Sequence, residues 1–191
     1  EYDGCINLTK GAIVCCDRLT TVSSRYADEI KDAFFAHGLE NIIRANAEKL
    51  SGIVNGIDYD YYNPETDKFL FKNYSVEDVS GKETCKAELQ KMLGLPERDV
   101  PVIAMITRLV SHKGLDLVIS VIEDVLHEDV QFVLLGTGDS AYENYFKDLG
   151  RRYEGKTSVN IAFNGDLSRK IYSGADIFLM PSKSEPCGRS Q

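Results

Sequence analysis

The sequence predicts an α/β fold, a parallel sheet wound on both faces by helices, and three observations predict it. From residue 101 onward, apolar runs of four or five residues alternate with stretches of helical period. The runs are too short for helices and apolar throughout, as strands buried on both faces require. The links between them are short, so successive strands are joined by right-handed crossovers through the intervening helices.

Taken in order, residues 7–50 read as mostly helical. Leu19-Thr20-Thr21-Val22 is short and β-branched, hence a strand. Ser23 or Ser24 caps a helix through Tyr26, Ile30, Ala33 and Phe34, which share one face. His37-Gly38 ends it, with glycine in the left-handed position. Ile53-Val54 reads as a strand entering an Asn55-Gly56 turn, where positive φ is tolerated. Residues 59–75, rich in Tyr, Asn and Asp, read as a linker, with Tyr59, Tyr61 and Tyr62 most simply packing at a domain junction. A helix over 80–93 follows, closed by Gly94. The regular series is then strand 102–106, helix 115–126, strand 132–135, helix 140–153, strand 159–163, helix 167–173 and strand 177–180. This divides the chain into a tail of one domain, residues 1–56, and a second, truncated domain, residues 57–191.

Composition bounds the function. With 43% hydrophobic and 27% charged residues among 191, the chain is an ordinary globular protein and not a disordered segment. Twenty-two cationic side chains against 30 anionic ones leave a net charge of −8, which excludes a nucleic-acid surface as the first reading. No apolar run reaches the ~18–20 residues that span a bilayer, so no membrane partner is expected. Five cysteines, an odd number without a CxxC pair, argue for a reducing cytoplasm and against a metal centre. The ends of the chain, Glu1 and Gln191, read as those of an internal fragment.

In a doubly wound sheet, ligands bind beyond the carboxyl ends of the strands. The first such loop, Thr107-Arg108-Leu109-Val110-Ser111-His112-Lys113-Gly114, carries two cations just before a helix start. Arg grips phosphate oxygens in a fork and Lys acts as a mobile point charge, a pairing suited to a diphosphate without a metal. The second, Gly136-Thr137-Gly138-Asp139, is either a phosphate- or ribose-approaching loop or a tight strand-to-helix turn. The last, Pro181-Ser182-Lys183-Ser184-Glu185-Pro186-Cys187-Gly188, sets a carboxylate beside a helix that begins with Pro. Glu185 is either a helix-capping acid or a group that holds sugar hydroxyls and stabilises positive charge at an anomeric carbon. Cys187 is either a thiol at a helix start or a small residue valued for its backbone. His37, His112 and His127 are scattered, with no acid partner at motif spacing.

Together these segments resemble bacterial glycogen synthases and plant starch synthases. The resemblance rests on five stretches in order: NLTKGAIVCCDRLTTVSSRYADEI, LSGIVNGIDYDYYNPETD, ITRLVSHKGLDL, LLGTGD and YSGADIFLMPSKSEPCG. It implies a Rossmann-like domain of a two-domain GT-B-type glycosyltransferase, here incomplete. The implied activity is transfer of glucose, with retention, from ADP-glucose to the 4-hydroxyl end of an α-1,4-glucan, with no cofactor, in a bacterial cytoplasm or a plastid. Arg108 and Lys113 match the family's diphosphate pair and Glu185 its acid at the transferred glucose. Cys187 and Gly188 match backbone donors there, Gly136, Thr137 and Gly138 the nucleotide-side loop, and Phe163 the ring that stacks on adenine, usually Tyr. One residue departs: Arg189 stands where the family has Leu, as a chain-end artefact or a change in donor handling. The family's Lys-Thr-Gly-Gly loop and active-site His would lie upstream of Glu1, so the chain alone is expected to be inactive. Sucrose synthase and a non-catalytic nucleotide-binding module are the rival readings.

Overall fold

The computed structural model of the chain describes residues 4–187, and they divide into two compact units. Of these residues the first comprises 4–57 and 185–187, the second Asp58–Ser184.

In the first unit, α1 (Leu8–Cys15), β1 (Leu19–Thr21), α2 (Ser24–Glu29), α3 (Ala33–Ala36), α4 (Glu40–Arg44) and β2 (Leu50–Gly52) follow in order. β1 and β2 pair in parallel. Ile13, Ala36 and Ile43 form its core, with Leu19, Ile30, Leu39 and Leu50 packed around them. The hydroxyl of Ser23 accepts from the Tyr26 amide at 3.0 Å and so caps α2. The helix expected to run on through Phe34 breaks instead. Asp32 competes with the backbone by accepting from the Phe34 amide at 2.9 Å, which starts a new helix. His37 takes the left-handed cap at φ 50°, ahead of Gly38, and Asn55-Gly56 contains no positive φ. The second strand is Leu50–Gly52, and Ile53 follows it with one further bond to Thr21 O at 2.8 Å. Glu185, assigned on sequence grounds to the second domain, groups with this unit, where Ser23 Oγ donates to Pro186 O at 2.6 Å.

The second unit begins with turns and continues as α5 (Gly81–Met92), β3 (Val102–Ile106), α6 (Leu115–His127), β4 (Gln131–Leu135), α7 (Ser140–Arg152), β5 (Thr157–Asn160), α8 (Gly165–Gly174) and β6 (Ile177–Phe178). The strands are parallel in the order β5-β4-β3-β6. Side chains alternate across this sheet as the period of two demands. Met105, Phe132 and Leu134 pack with Leu115, Val118, Ile122, Phe146 and Leu149 of α6 and α7. Val102, Ala104, Val133 and Leu135 pack with Leu89 and Ile171 of α5 and α8. Each fully buried Leu or Phe contributes about 1.5–3 kcal/mol, so the continuous apolar runs dictate the two-sided burial.

β5 lies earlier than the apolar run 159–163 predicts. The chain turns at Asn160, whose carbonyl accepts from both Ala162 and Gly136 amides at 3.1 Å. Its side-chain amide reaches back to Ser158 Oγ at 3.2 Å. Ile161 to Phe163 are thereby released into the loop at the strand's carboxyl end. The order reverses at β3, with β4 and β5 on one side and β6 on the other. That reversal is the switch point where such sheets take their ligands.

Candidate functional site

The pairing of β3 with β4 continues past the strand ends. Thr107 N donates to Leu135 O at 3.1 Å, Leu109 N to Thr137 O at 2.9 Å, and Asp139 N to Leu109 O at 2.8 Å. A Cβ added at Gly136 would run into the Thr107 carbonyl, and one at Gly138 into the Leu109 carbonyl. The glycines of residues 136–138 are therefore required by the close approach of a neighbouring backbone, a purpose neither sequence alternative named. The Gly138 amide donates to Glu143 Oε1 at 3.1 Å, and this bond holds the Glu143 carboxyl below its usual range. That N–H is thus engaged by α7's own side chain.

This frame presents Arg108. It is exposed, forms no ion pair among the described residues, and lines a cavity of about 330 Å³ together with Thr107, Gly136 and Thr137. Lys113, half-buried, ends a 3-10 turn over Ser111–Lys113 and does not line that cavity. Gly114 follows at φ 70° and is pressed against Pro181, whose carbonyl leaves no room for a Cβ. Lys183 N donates to His112 O at 3.0 Å, and Lys183 Nζ pairs with Asp116, holding the Asp116 carboxyl below its usual range. The loop after β3 is thus tied to the loop after β6 at the switch point. Arg108 shares its cavity with residues that end or follow β3, β4 and β5. Of the two cations expected to serve one diphosphate, the cavity takes in Arg108 and not Lys113.

Phe163, released by the turn at Asn160, lines the same cavity with 98% of its surface exposed. Asn164 accepts from Leu167 N at 2.9 Å and caps α8 beside it. The rest of the wall was missed from sequence: Tyr61, Tyr62, Ser168, Arg169 and Tyr172. A signal existed, since Gly165, Ser168, Arg169 and Tyr172 recur at spacings that share one helix face. The tyrosines line this cavity within the second unit, where sequence suggested junction packing. Glu185 and Cys187 are half-buried and lie outside any helix, and Gly188 and Arg189 fall beyond the described residues. Among the described residues no three His, Cys, Asp or Glu side chains gather as a metal site, and no helix is long and apolar enough to cross a membrane.

Residues 87–190 match the family of glycosyl transferases group 1. The chain belongs to that family. Residues 1–45 also match the starch synthase catalytic domain. The glycogen synthase of Finegoldia magna is 54% identical over the whole chain, and that of Clostridium acetobutylicum 52%; the chain spans 40% of the length of each. Among solved structures, the catalytic domain of starch synthase IV from Arabidopsis thaliana, bound to ADP and acarbose, is 37% identical with a TM-score of 0.90, over 97% of this chain and 39% of that one. A sucrose-phosphate synthase from Thermosynechococcus elongatus, 18% identical with a TM-score of 0.60 over 96% of this chain and 39% of that one, shares the fold alone. The glycosyltransferase chain thus carries the Rossmann-like, GT-B-type architecture that its sequence predicts.

Proposed function

We propose that the full-length protein is a glycogen or starch synthase that transfers glucose from ADP-glucose, with retention, to the 4-hydroxyl end of an α-1,4-glucan. The observation that carries the reading is Arg108, a cation without an ion partner among the described residues, at an aromatic-walled cavity beyond the strands' carboxyl ends. The relatives named glycogen synthase, matched along the entire chain, support it. In this reading adenine lies against Phe163, and Arg108 reaches the diphosphate with Lys113 beyond it. As the anomeric bond breaks, negative charge grows on the diphosphate, and cations fixed in advance stabilise it without reorganising. Glu185 serves the sugar, with backbone donors at Cys187 and Gly188. No metal or organic cofactor is required, because the loop cations do the charge work. Five free cysteines suit a reducing cytoplasm.

The test is glucosyl transfer from radiolabelled ADP-glucose to glycogen by the full-length enzyme. Glu185→Gln should retain ADP affinity and lose most transfer. Equal losses of both would make Glu185 structural, and transfer from UDP-glucose in preference to ADP-glucose would point to a sucrose-synthase-like enzyme. The 191-residue chain alone should label no polymer, since catalysis needs groups from both halves of the enzyme.

A further inference from the structure

Resting on that reading, we propose that Arg169 is a positioning residue that fixes Tyr61 and Tyr62 as a wall of the base cavity, so that the linker before α5 helps set which nucleobase the enzyme accepts. The linker has no helix or strand, yet it is held turn by turn. Asp58 accepts from the Asp60 and Tyr61 amides at 3.0 and 2.9 Å. Asn63 accepts from Glu65 at 3.0 Å, and Asp67 from Phe69 at 2.9 Å. Asn73 Nδ2 ties Pro64 O and Asp67 O together at 2.9 Å each. Such side-chain turns replace regular structure with a defined path.

Arg169 joins this path to α8. Its guanidinium donates to Asp67 at 3.1 Å, with the two side chains only 11% and 6% exposed. It also lies over the Tyr61 ring at 3.8 Å and the Phe69 ring at 4.6 Å from the centroids. A planar, delocalised cation stacks on rings and pairs a carboxylate at once, which an ammonium cannot match. Tyr61 and Tyr62 meet edge to face at 4.7 Å, so fixing one ring orients the other. Both remain half-exposed on the cavity side of the linker, at 47% and 59%. Arginine Nε is buried without a hydrogen-bond partner. Leaving a buried donor unmet is costly, so this placement is maintained by the ring stacking and the Asp67 pair together.

Four variants of the full-length enzyme test this, with ADP and UDP as calorimetric probes and transfer kinetics alongside. Arg169→Gln should weaken ADP binding and raise the donor KM about ten-fold, the order of one lost base-stacking contact. Its kcat should stay within about two-fold, since the lost contact is not made at the reacting atoms. The ADP-to-UDP affinity ratio should fall toward unity. Tyr62→Ala, at an exposed ring where folding is not at stake, should do the same, and Tyr62→Phe, which keeps the ring, should recover more than half of the lost ADP affinity. Arg169→Lys should recover less than half of the loss, because it restores charge without the planar stack. Unchanged ADP affinity in both Arg169→Gln and Tyr62→Ala, or equal losses in kcat and affinity, would overturn the inference. A parent enzyme that binds neither nucleotide would instead overturn the functional reading beneath it.

Discussion

The second unit has a cavity at each end of its sheet, and the larger is the less promising. At the amino ends of the strands, a cavity of about 620 Å³ is lined by Lys82, Lys86, Arg98, Asp99 and Asp176. Its cations are already committed. Lys86 pairs with Asp176 at 2.8 Å, Arg98 with Asp129 at 2.8 Å, and Lys82 donates to Ser173 O at 2.8 Å. Burial lowers the pKa of Lys82 further, against the pull of Cys85 and Asp176. At the carboxyl ends the cavity is about half that volume, but its wall is aromatic and Arg108 has no ion partner among the described residues. Charge already neutralised stabilises the fold, whereas charge left open is available to a ligand. Volume does not separate the two; pairing does.

The sharpest way to break this comparison is to remove one cation from each end. In the full-length enzyme, Arg108→Ala should cut glucosyl transfer by a factor on the order of a hundred or more, as loss of one preorganised donor does. Lys86→Ala should leave transfer unchanged and lower stability by at most about 1 kcal/mol. Equal effects on transfer from both would dissolve the distinction.

A second expected effect falls on the frame itself. Gly136→Ala should destabilise by about 3 kcal/mol, because the added methyl meets backbone that cannot move aside. Gly11→Ala, in α1 with nothing near its Cβ position, should stabilise by about 0.5–1 kcal/mol. Urea unfolding of both variants checks this, and a neutral Gly136→Ala would show that residues 107–109 are not held as described.

At the amino ends, Asp176 accepts from both Val102 N and Lys86 Nζ at 2.8 Å. Asp176→Ala should cost about 1–3 kcal/mol by leaving the first amide of β3 without its partner. Measured stability equal to that of the parent would mean water replaces the carboxylate fully.

The smallest effect concerns Glu143. Its folded pKa lies below its unfolded value because the Gly138 amide, more than Lys147, favours the carboxylate. Its contribution is therefore present above the unfolded pKa of about 4.3 and disappears as pH falls through the folded value. The gap in urea midpoint between the parent and Glu143→Gln should be constant near neutrality and close below about pH 4. A gap that widens in acid would contradict the Gly138 bond.

Much of the sheet was legible because burial on both faces writes itself as uninterrupted apolar residues: Val102 to Ile106 is strand from end to end. Misreadings cluster where a polar side chain competes with the backbone. Asp32 divides one expected helix into two, and Asn160 ends β5 before its apolar run is over. Arg108 stood out as part of a cation loop and Phe163 only through the family resemblance; that the two line one cavity is what the fold adds. The Arg169 clamp was not legible, since Arg169 and Asp67 stand 102 positions apart and nothing local couples an arginine to a distant tyrosine. The two glycines at 136 and 138 were noticed for close backbone approach, but that the approach includes the Thr107 and Leu109 carbonyls was not legible, because a sequence does not show which backbone comes close.

The bridge between Leu109 and Gly138 also bears on how this loop can change over generations. A ladder that runs beyond its strands fixes register, and one inserted residue would turn every following side chain to the other face. Deletion has the same consequence. Change at residues 107–109 and 136–138 is therefore confined to substitution at constant length, whereas the exposed Ser111 and His112 lie beyond the bridge and outside that constraint.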